Sequence, residues 1–261
     1  MTAETGYWRG KTVLIAGGSG GMGRAIAVRF ATDGASLYLC DINRGALDEA
    51  TRELGAGTAR AIEADVTQVA DCARAVNAAV DESGRLDLLI NAAGIWTEGP
   101  SEAATEAQWD RVLDVNLKGT FFMSRYAIPH LEKTGGNIIN ISSDAGIIGS
   151  KGAAIYCASK GGVNLLTKSL AREMAARGIR VNAICPCDVD TPMIEYQANT
   201  FGGGDPVAYK RALLSIYPQG ARARFATPAE IAAFVHFVAS PEAAPITGAC
   251  LSIDFGTTAG L

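Results

Sequence analysis

Short apolar runs rich in β-branched residues alternate along this chain with longer segments whose apolar positions recur every three or four residues. The runs at 12–16, 36–40, 86–91, 137–142, 180–184 and 249–253 predict strands, with 59–64 a weaker seventh. Between them, 22–32, 45–54, 69–82, 105–132, 153–177 and 228–239 carry the amphipathic spacing of helices. Parallel strands need long crossovers, and both faces of a parallel sheet must be covered. The alternation therefore predicts an α/β fold: a doubly wound parallel sheet with helices on both faces. No repeat or Pro/Ser-rich linker divides the chain, so a single domain is expected. The long irregular stretch 187–227 is read as a substrate lid, because loops of that length in compact domains are usually functional.

Composition narrows the partners. The chain has 261 residues, 48% of them hydrophobic, with 30 glycines and 9 prolines, enough to bury one full core. A net charge of -4, with lysines and arginines scattered, argues against a nucleic-acid partner. No apolar stretch reaches the roughly 18 residues of a membrane span, and the opening MTAETGYWRGK lacks the pattern of a secretory leader, so a cytoplasmic protein is expected. The six cysteines are expected to be reduced. Cys185-Pro186-Cys187 lacks metal-site spacing, and only His130 and His236 could assist, so no metal is expected.

The first predicted strand runs into AGGSGGMG and then a helix, the context in which glycines let backbone N–H groups approach a pyrophosphate at a helix N-terminus. The letters fit GxGxxG (Gly18, Gly20, Gly23) and GxxxGxG (Gly17, Gly21, Gly23), and spacing does not choose between them. A turn that merely packs a helix on the sheet is the plainer reading. Asp41 ends the second strand, where a carboxylate accepts from ribose hydroxyls and repels a 2′-phosphate, pointing to NAD over NADP. Arg44 weakens that preference, and a helix-capping role for Asp41 is the alternative.

Tyr156 and Lys160 stand four apart at the front of a predicted helix, so their side chains share a face. A neighbouring ammonium favours a phenolate and lowers a tyrosine pKa, making the pair a candidate acid/base; an ordinary solvated pair is the alternative. The glycine loop, Asn91-Ala92-Ala93-Gly94, Asn116, Ser142-Ser143 and Tyr156-Cys157-Ala158-Ser159-Lys160 follow one another in an order that resembles the classical short-chain dehydrogenase/reductase family, whose fold is Rossmann-type.

The resemblance spans about 11–256 and implies a tetrad of Asn116, Ser143, Tyr156 and Lys160, with Ser143 preferred to Ser142 because it lies thirteen residues before Tyr156. In that scheme Tyr156 exchanges the substrate proton, Ser143 polarises the substrate oxygen, Lys160 lowers the tyrosine pKa and binds ribose, and Asn116 supports a water relay. It further implies NAD contacts from Gly17, Ser19, Gly20, Gly21, Met22, Gly23, Asp41, Ile42, Asp65, Val66, Asn91, Ala92, Ala93, Gly94, Tyr156, Lys160, Pro186, Val189 and Thr191, and a homotetramer. Ala16, Cys187 and Phe255 depart from the family pattern, the last two standing where glycines are usual.

The expected activity is interconversion of a secondary alcohol and a ketone by hydride transfer to or from NAD. Ile95, Trp96, Ile147, Ile148, Met193, Tyr196, Phe201, Tyr209 and Tyr217 suggest an apolar pocket for a cyclic or aromatic small molecule. A 3-oxoacyl carrier-protein reductase is the alternative enzyme, and a non-catalytic nucleotide sensor the alternative from another class.

Overall fold

The computed structural model describes residues 6–259, so the first five residues of the opening lie outside it. Its strands are β1 (Thr12–Ala16), β2 (Ser36–Asp41), β3 (Ala59–Glu63), β4 (Leu88–Asn91), β5 (Asn137–Ile141), β6 (Arg180–Pro186) and β7 (Cys250–Ile253). They form one sheet in the order β3-β2-β1-β4-β5-β6-β7, with every pairing parallel. Each strand of β1, β4 and β5 is buried along its whole length, as a sheet covered on both faces requires.

Alternation divides the core. Val13, Ile15, Leu37 and Leu39 face Ile26 and Phe30 of α1 (Gly21–Thr32) and Ile231 and Val235 of α9 (Pro228–Ala239). Leu14, Tyr38, Cys40 and Leu89 face the other way, onto Cys72 and Val76 of α3 (Val69–Ser83) and Met123 and Ala127 of α5 (Thr120–Leu131). Each fully buried Leu or Ile contributes about 1.5–3 kcal/mol, so these layers fix strand register against a one-residue slip. The chain order reverses between β1 and β4, which opens a crevice at their carboxyl ends.

The remaining helices are α2 (Arg44–Leu54), α4 (Glu106–Leu113), α6 (Ala154–Met174), α7 (Pro192–Phe201) and α8 (Pro206–Ser215). Two expectations change. The helix expected over 105–132 is α4 and α5 joined by a π-helical segment, Asp114–Gly119, whose wider turn carries Asn116. The stretch 187–227, read as irregular, contains α7 and α8. Each begins with a proline at its first position, after Thr191 and Asp205, and Gly202 and Gly203 end the first of them. Among the described residues all six cysteines are free, no set of three metal-ligating side chains gathers, and no helix is long and apolar enough to cross a membrane.

Candidate active site

A cleft of about 760 Å³ opens at the carboxyl ends of β1, β2 and β4, within the usual size of cofactor pockets. Of the residues expected to contact the cofactor, Gly17, Ser19, Gly20, Gly21, Met22, Gly23, Asp41, Ile42, Asp65, Val66, Ala92, Ala93, Gly94 and Thr191 line it. Arg111, Asp114, Val115 and Met193 also line it, and sequence reasoning missed the first three because only folding carries the end of α4 and the π segment there. Asn91, Tyr156, Lys160, Pro186 and Val189 do not. Asn91 turns its buried amide into the core, donating to Ser124 Oγ at 3.1 Å and Asn140 Oδ1 at 2.9 Å. Pro186 is buried at the end of β6, and Val189 packs in the core beside Ala226.

Steric room decides the glycine register. A Cβ on Gly17, whose φ is 77°, would fall 2.5 Å from Ala93 N, and one on Gly21 would fall 2.7 Å from Thr191 Cγ2. One on Gly23 would strike the Gly17 carbonyl, whereas Gly20 would find only ordinary contact at 3.5 Å. A Cβ on Gly18 would also fall 2.9 Å from Leu39 Cβ, so Gly17, Gly18, Gly21 and Gly23 are all crowded, and it is Gly20, the middle glycine of GxGxxG, that the packing does not require. No side chain caps α1 and no acidic residue occupies its first turn, while Asn43 and Thr105 cap α2 and α4. An uncapped helix N-terminus facing a glycine cradle fits the pyrophosphate of a dinucleotide. Asp41 caps nothing, since Asn43 holds that place. Its carboxylate accepts from Ser19 N at 3.4 Å and Asn43 N at 3.2 Å at the cleft edge.

Asn116, Lys160 and Tyr156 converge beside Gly94. A Cβ there would lie 3.5 Å from both Asn116 Oδ1 and Lys160 Nζ, and Lys160 Nζ stands 5.7 Å from the Tyr156 ring centroid. Asn116 is fully buried. Its Oδ1 accepts from Ile95 N at 2.9 Å, and its Nδ2 donates to Ile95 O and Ser159 Oγ, each at 3.0 Å. Lys160 Nζ donates to Ile141 O at 2.8 Å, tying α6 to the end of β5.

Burial dominates the electrostatics. It pushes the Tyr156 phenol well above its ordinary value; Asp144 and Asp188 push the same way, and the Ser143 hydroxyl opposes them. Burial also lowers the Lys160 ammonium to about 8. The expected lowering of the Tyr156 pKa by Lys160 is therefore not what the isolated chain gives. The cation is itself weakened by desolvation and bound to a backbone carbonyl, while two carboxylates oppose it.

Those carboxylates were missed in the sequence, although Asp144 follows Ser143 directly and Asp188 follows Pro186 by two. Ser143 Oγ donates to Asp144 Oδ1 at 2.8 Å. Asp188, raised to about 6 by burial and by Asp144, accepts from the Tyr217 hydroxyl at 3.0 Å. Glu98 joins two further aromatics, accepting from Trp96 Nε1 at 2.8 Å and from Tyr209 at 2.7 Å. The Trp96 ring stands 4.4 Å from that of Tyr156. Carboxylates thus divide the expected apolar wall.

A family model described as short chain dehydrogenase matches residues 11–200. The chain is 38% identical over 254 residues to 2-(S)-hydroxypropyl-CoM dehydrogenase 3 of Xanthobacter autotrophicus, across 96% of this chain and 98% of that one. It is 37% identical over 252 residues to a cyclopentanol dehydrogenase of a Comamonas species, across 95% and 97%. A crystal structure of the 3-ketoacyl-(acyl-carrier-protein) reductase of Brucella melitensis, complexed with NADH, superposes with a TM-score of 0.85 at 32% identity, covering 96% of this chain and 99% of that one. Similarity on this scale reaches past the glycine cradle and the Tyr156 helix to almost the whole chain, and it makes this protein a short-chain dehydrogenase/reductase, an oxidoreductase by family.

Proposed function

We propose that the protein is an NAD-dependent enzyme that interconverts a secondary alcohol and a ketone, with Tyr156 exchanging the hydroxyl proton. The observation that carries the NAD reading is Asp41 at the cleft edge, where a carboxylate accepts from ribose hydroxyls and repels a 2′-phosphate. Arg44, the residue that could weaken this preference, is paired with Asp48 at 2.9 Å. Gly17, Gly21, Gly23 and the start of α1 would hold the pyrophosphate. The nicotinamide supplies the hydride acceptor or donor when bound. Ser143 and Tyr156 orient the substrate oxygen, and Trp96 screens it from water.

Trp96 against Tyr156 supports a cyclic or aromatic substrate, in keeping with the cyclopentanol activity named for one relative. Likeness to the Brucella reductase favours a second reading, reduction of a 3-oxoacyl carrier-protein thioester. Turnover of cyclic, aromatic and aliphatic secondary alcohols and of a 3-oxoacyl thioester, each with NAD(H) and NADP(H), separates the two. The expected result is higher kcat/KM with NAD and a narrowed gap in Asp41→Ala. Equal efficiency with both cofactors in the natural protein refutes the role given to Asp41.

A further inference from the structure

Trp96 stands on a stretch, 92–98, that belongs to no helix or strand, so regular backbone structure does not fix its ring. The ring is nonetheless set against Tyr156, with centroids 4.4 Å apart and planes tilted by 55°. Its only polar atom, Nε1, donates to Glu98 Oε2 at 2.8 Å. The same carboxylate oxygen accepts from the Tyr209 hydroxyl of α8 at 2.7 Å, so Glu98 is itself held from a second element. A carboxylate makes a stronger acceptor than a neutral oxygen, and an indole has one donor to give, so this bond sets the direction of the ring. Trp96 also breaks the symmetry around Tyr156. The other apolar side chains packed with that ring, Ala145, Ala153 and Cys157, are all small.

We propose that Glu98 is a positioning residue that holds Trp96 as a one-sided wall at Tyr156, and that the enzyme thereby selects one enantiomer of a secondary alcohol carrying one small and one bulky carbon substituent. The inference rests on the reading of Tyr156 as the group that takes the hydroxyl proton. With the alcohol oxygen at the phenol and the departing hydride facing the nicotinamide, exchanging enantiomers exchanges the places of the two substituents. The substituent on the indole side must be small, and the bulky one must lie away from it. The opposite enantiomer presses its bulky group on the indole. A ring free to turn aside would yield to it, whereas a ring tied to Glu98, and through Glu98 to α8, does not. Glu98 takes no part in the proton or hydride transfer and acts through Trp96.

The test is kcat/KM with NAD for the separate enantiomers of an unsymmetrical alcohol that the natural protein oxidises, beginning with methyl phenyl carbinol. The ratio of the two is the readout, because a general loss of activity cancels in it. The natural protein should favour one enantiomer by about 20-fold or more, within what shape alone gives an apolar pocket, and Glu98→Ala should cut this to about 3-fold or less. The ratio should fall because the disfavoured enantiomer gains kcat/KM. Trp96→Phe, which keeps a ring but no donor, should lose the ratio equally, and adding Glu98→Ala to it should change nothing further. Glu98→Gln, which still offers an oxygen, should retain most of the preference. Equal rates for the two enantiomers in the natural protein overturn the proposal, as does a natural ratio in Glu98→Ala or a further loss in the double variant. A ratio that falls only because the favoured enantiomer slows shows general damage and overturns it as well. If the natural protein oxidises no secondary alcohol at all, the functional reading has failed instead, and this proposal falls with it.

Discussion

Tyr156 and Asp188 hold the chemistry that single residues can test. Tyr156→Phe removes an oxygen and almost no volume from the first turn of α6. Its kcat should drop at least about 100-fold while NAD affinity, followed by fluorescence titration, changes little. Asp188 is raised from 3.8 to about 6, so ionising it opposes folding, by on the order of 3 kcal/mol once both states are charged. Asp188→Asn relieves that opposition and keeps an oxygen acceptor for Tyr217. The variant should melt at a higher temperature than the natural protein above pH 6, and its advantage should vanish below about pH 4, where the natural carboxyl is protonated in both states. Thermal melts across that range check this; a gain independent of pH would show that charge is not the cause.

At the scale of elements, the β1–α1 turn and the π segment show how local backbone geometry selects residues. Because Gly20 has room for a methyl group while a Cβ on Gly23 meets the Gly17 carbonyl, the two substitutions should separate. Gly20→Ala should bind NAD within a few-fold of the natural protein, and Gly23→Ala should lose binding by about 100-fold or more, because α1 can no longer approach the loop. Calorimetric titration measures both. The same reasoning explains one departure from the family pattern. Phe255 is the one described non-glycine residue with positive φ, at 53°, a conformation that costs a side chain about 1–2 kcal/mol. Its ring rests under Arg224 at 4.8 Å and beside Tyr217 at 6.5 Å, which holds the strained turn. Cys187 has no positive φ, so the backbone there does not require the glycine usual in the family.

The whole molecule brings 187–227 over the site. Tyr209 of α8 reaches Glu98 and α7 begins at the cofactor cleft, while Tyr217 and Asp188 pair within the segment itself. We propose that α8 acts as a lid held by the Tyr209–Glu98 contact, since it has no buried residue of its own, while Cys187, Val189, Tyr217 and Ala226 anchor the rest of the segment in the core. Hydrogen exchange should show weak protection of 200–217 in the free enzyme and strong protection in a complex with NAD and an unreactive substrate analogue. Uniformly strong protection in both states would make it a fixed wall. Glu98→Gln should loosen the free enzyme's segment further by weakening the link to Tyr209.

Strand and helix order, the glycine loop, Asp41 and the Ser143–Tyr156–Lys160 spacing were legible in the sequence, because they follow from periodicity and from chemistry set by neighbours in the chain. The glycine register needed the tertiary structure, since Ala93 and Thr191 crowd the loop from segments about 75 and 170 residues away. Asn91 belongs to the motif by its letters but serves the core, because β5 and α5 supply partners for its amide that no local pattern reveals. Asp144 and Asp188 were visible as letters only. Their effect on Tyr156 depends on burial and on distances across the cleft, and these exist only after β5, β6 and α6 have packed.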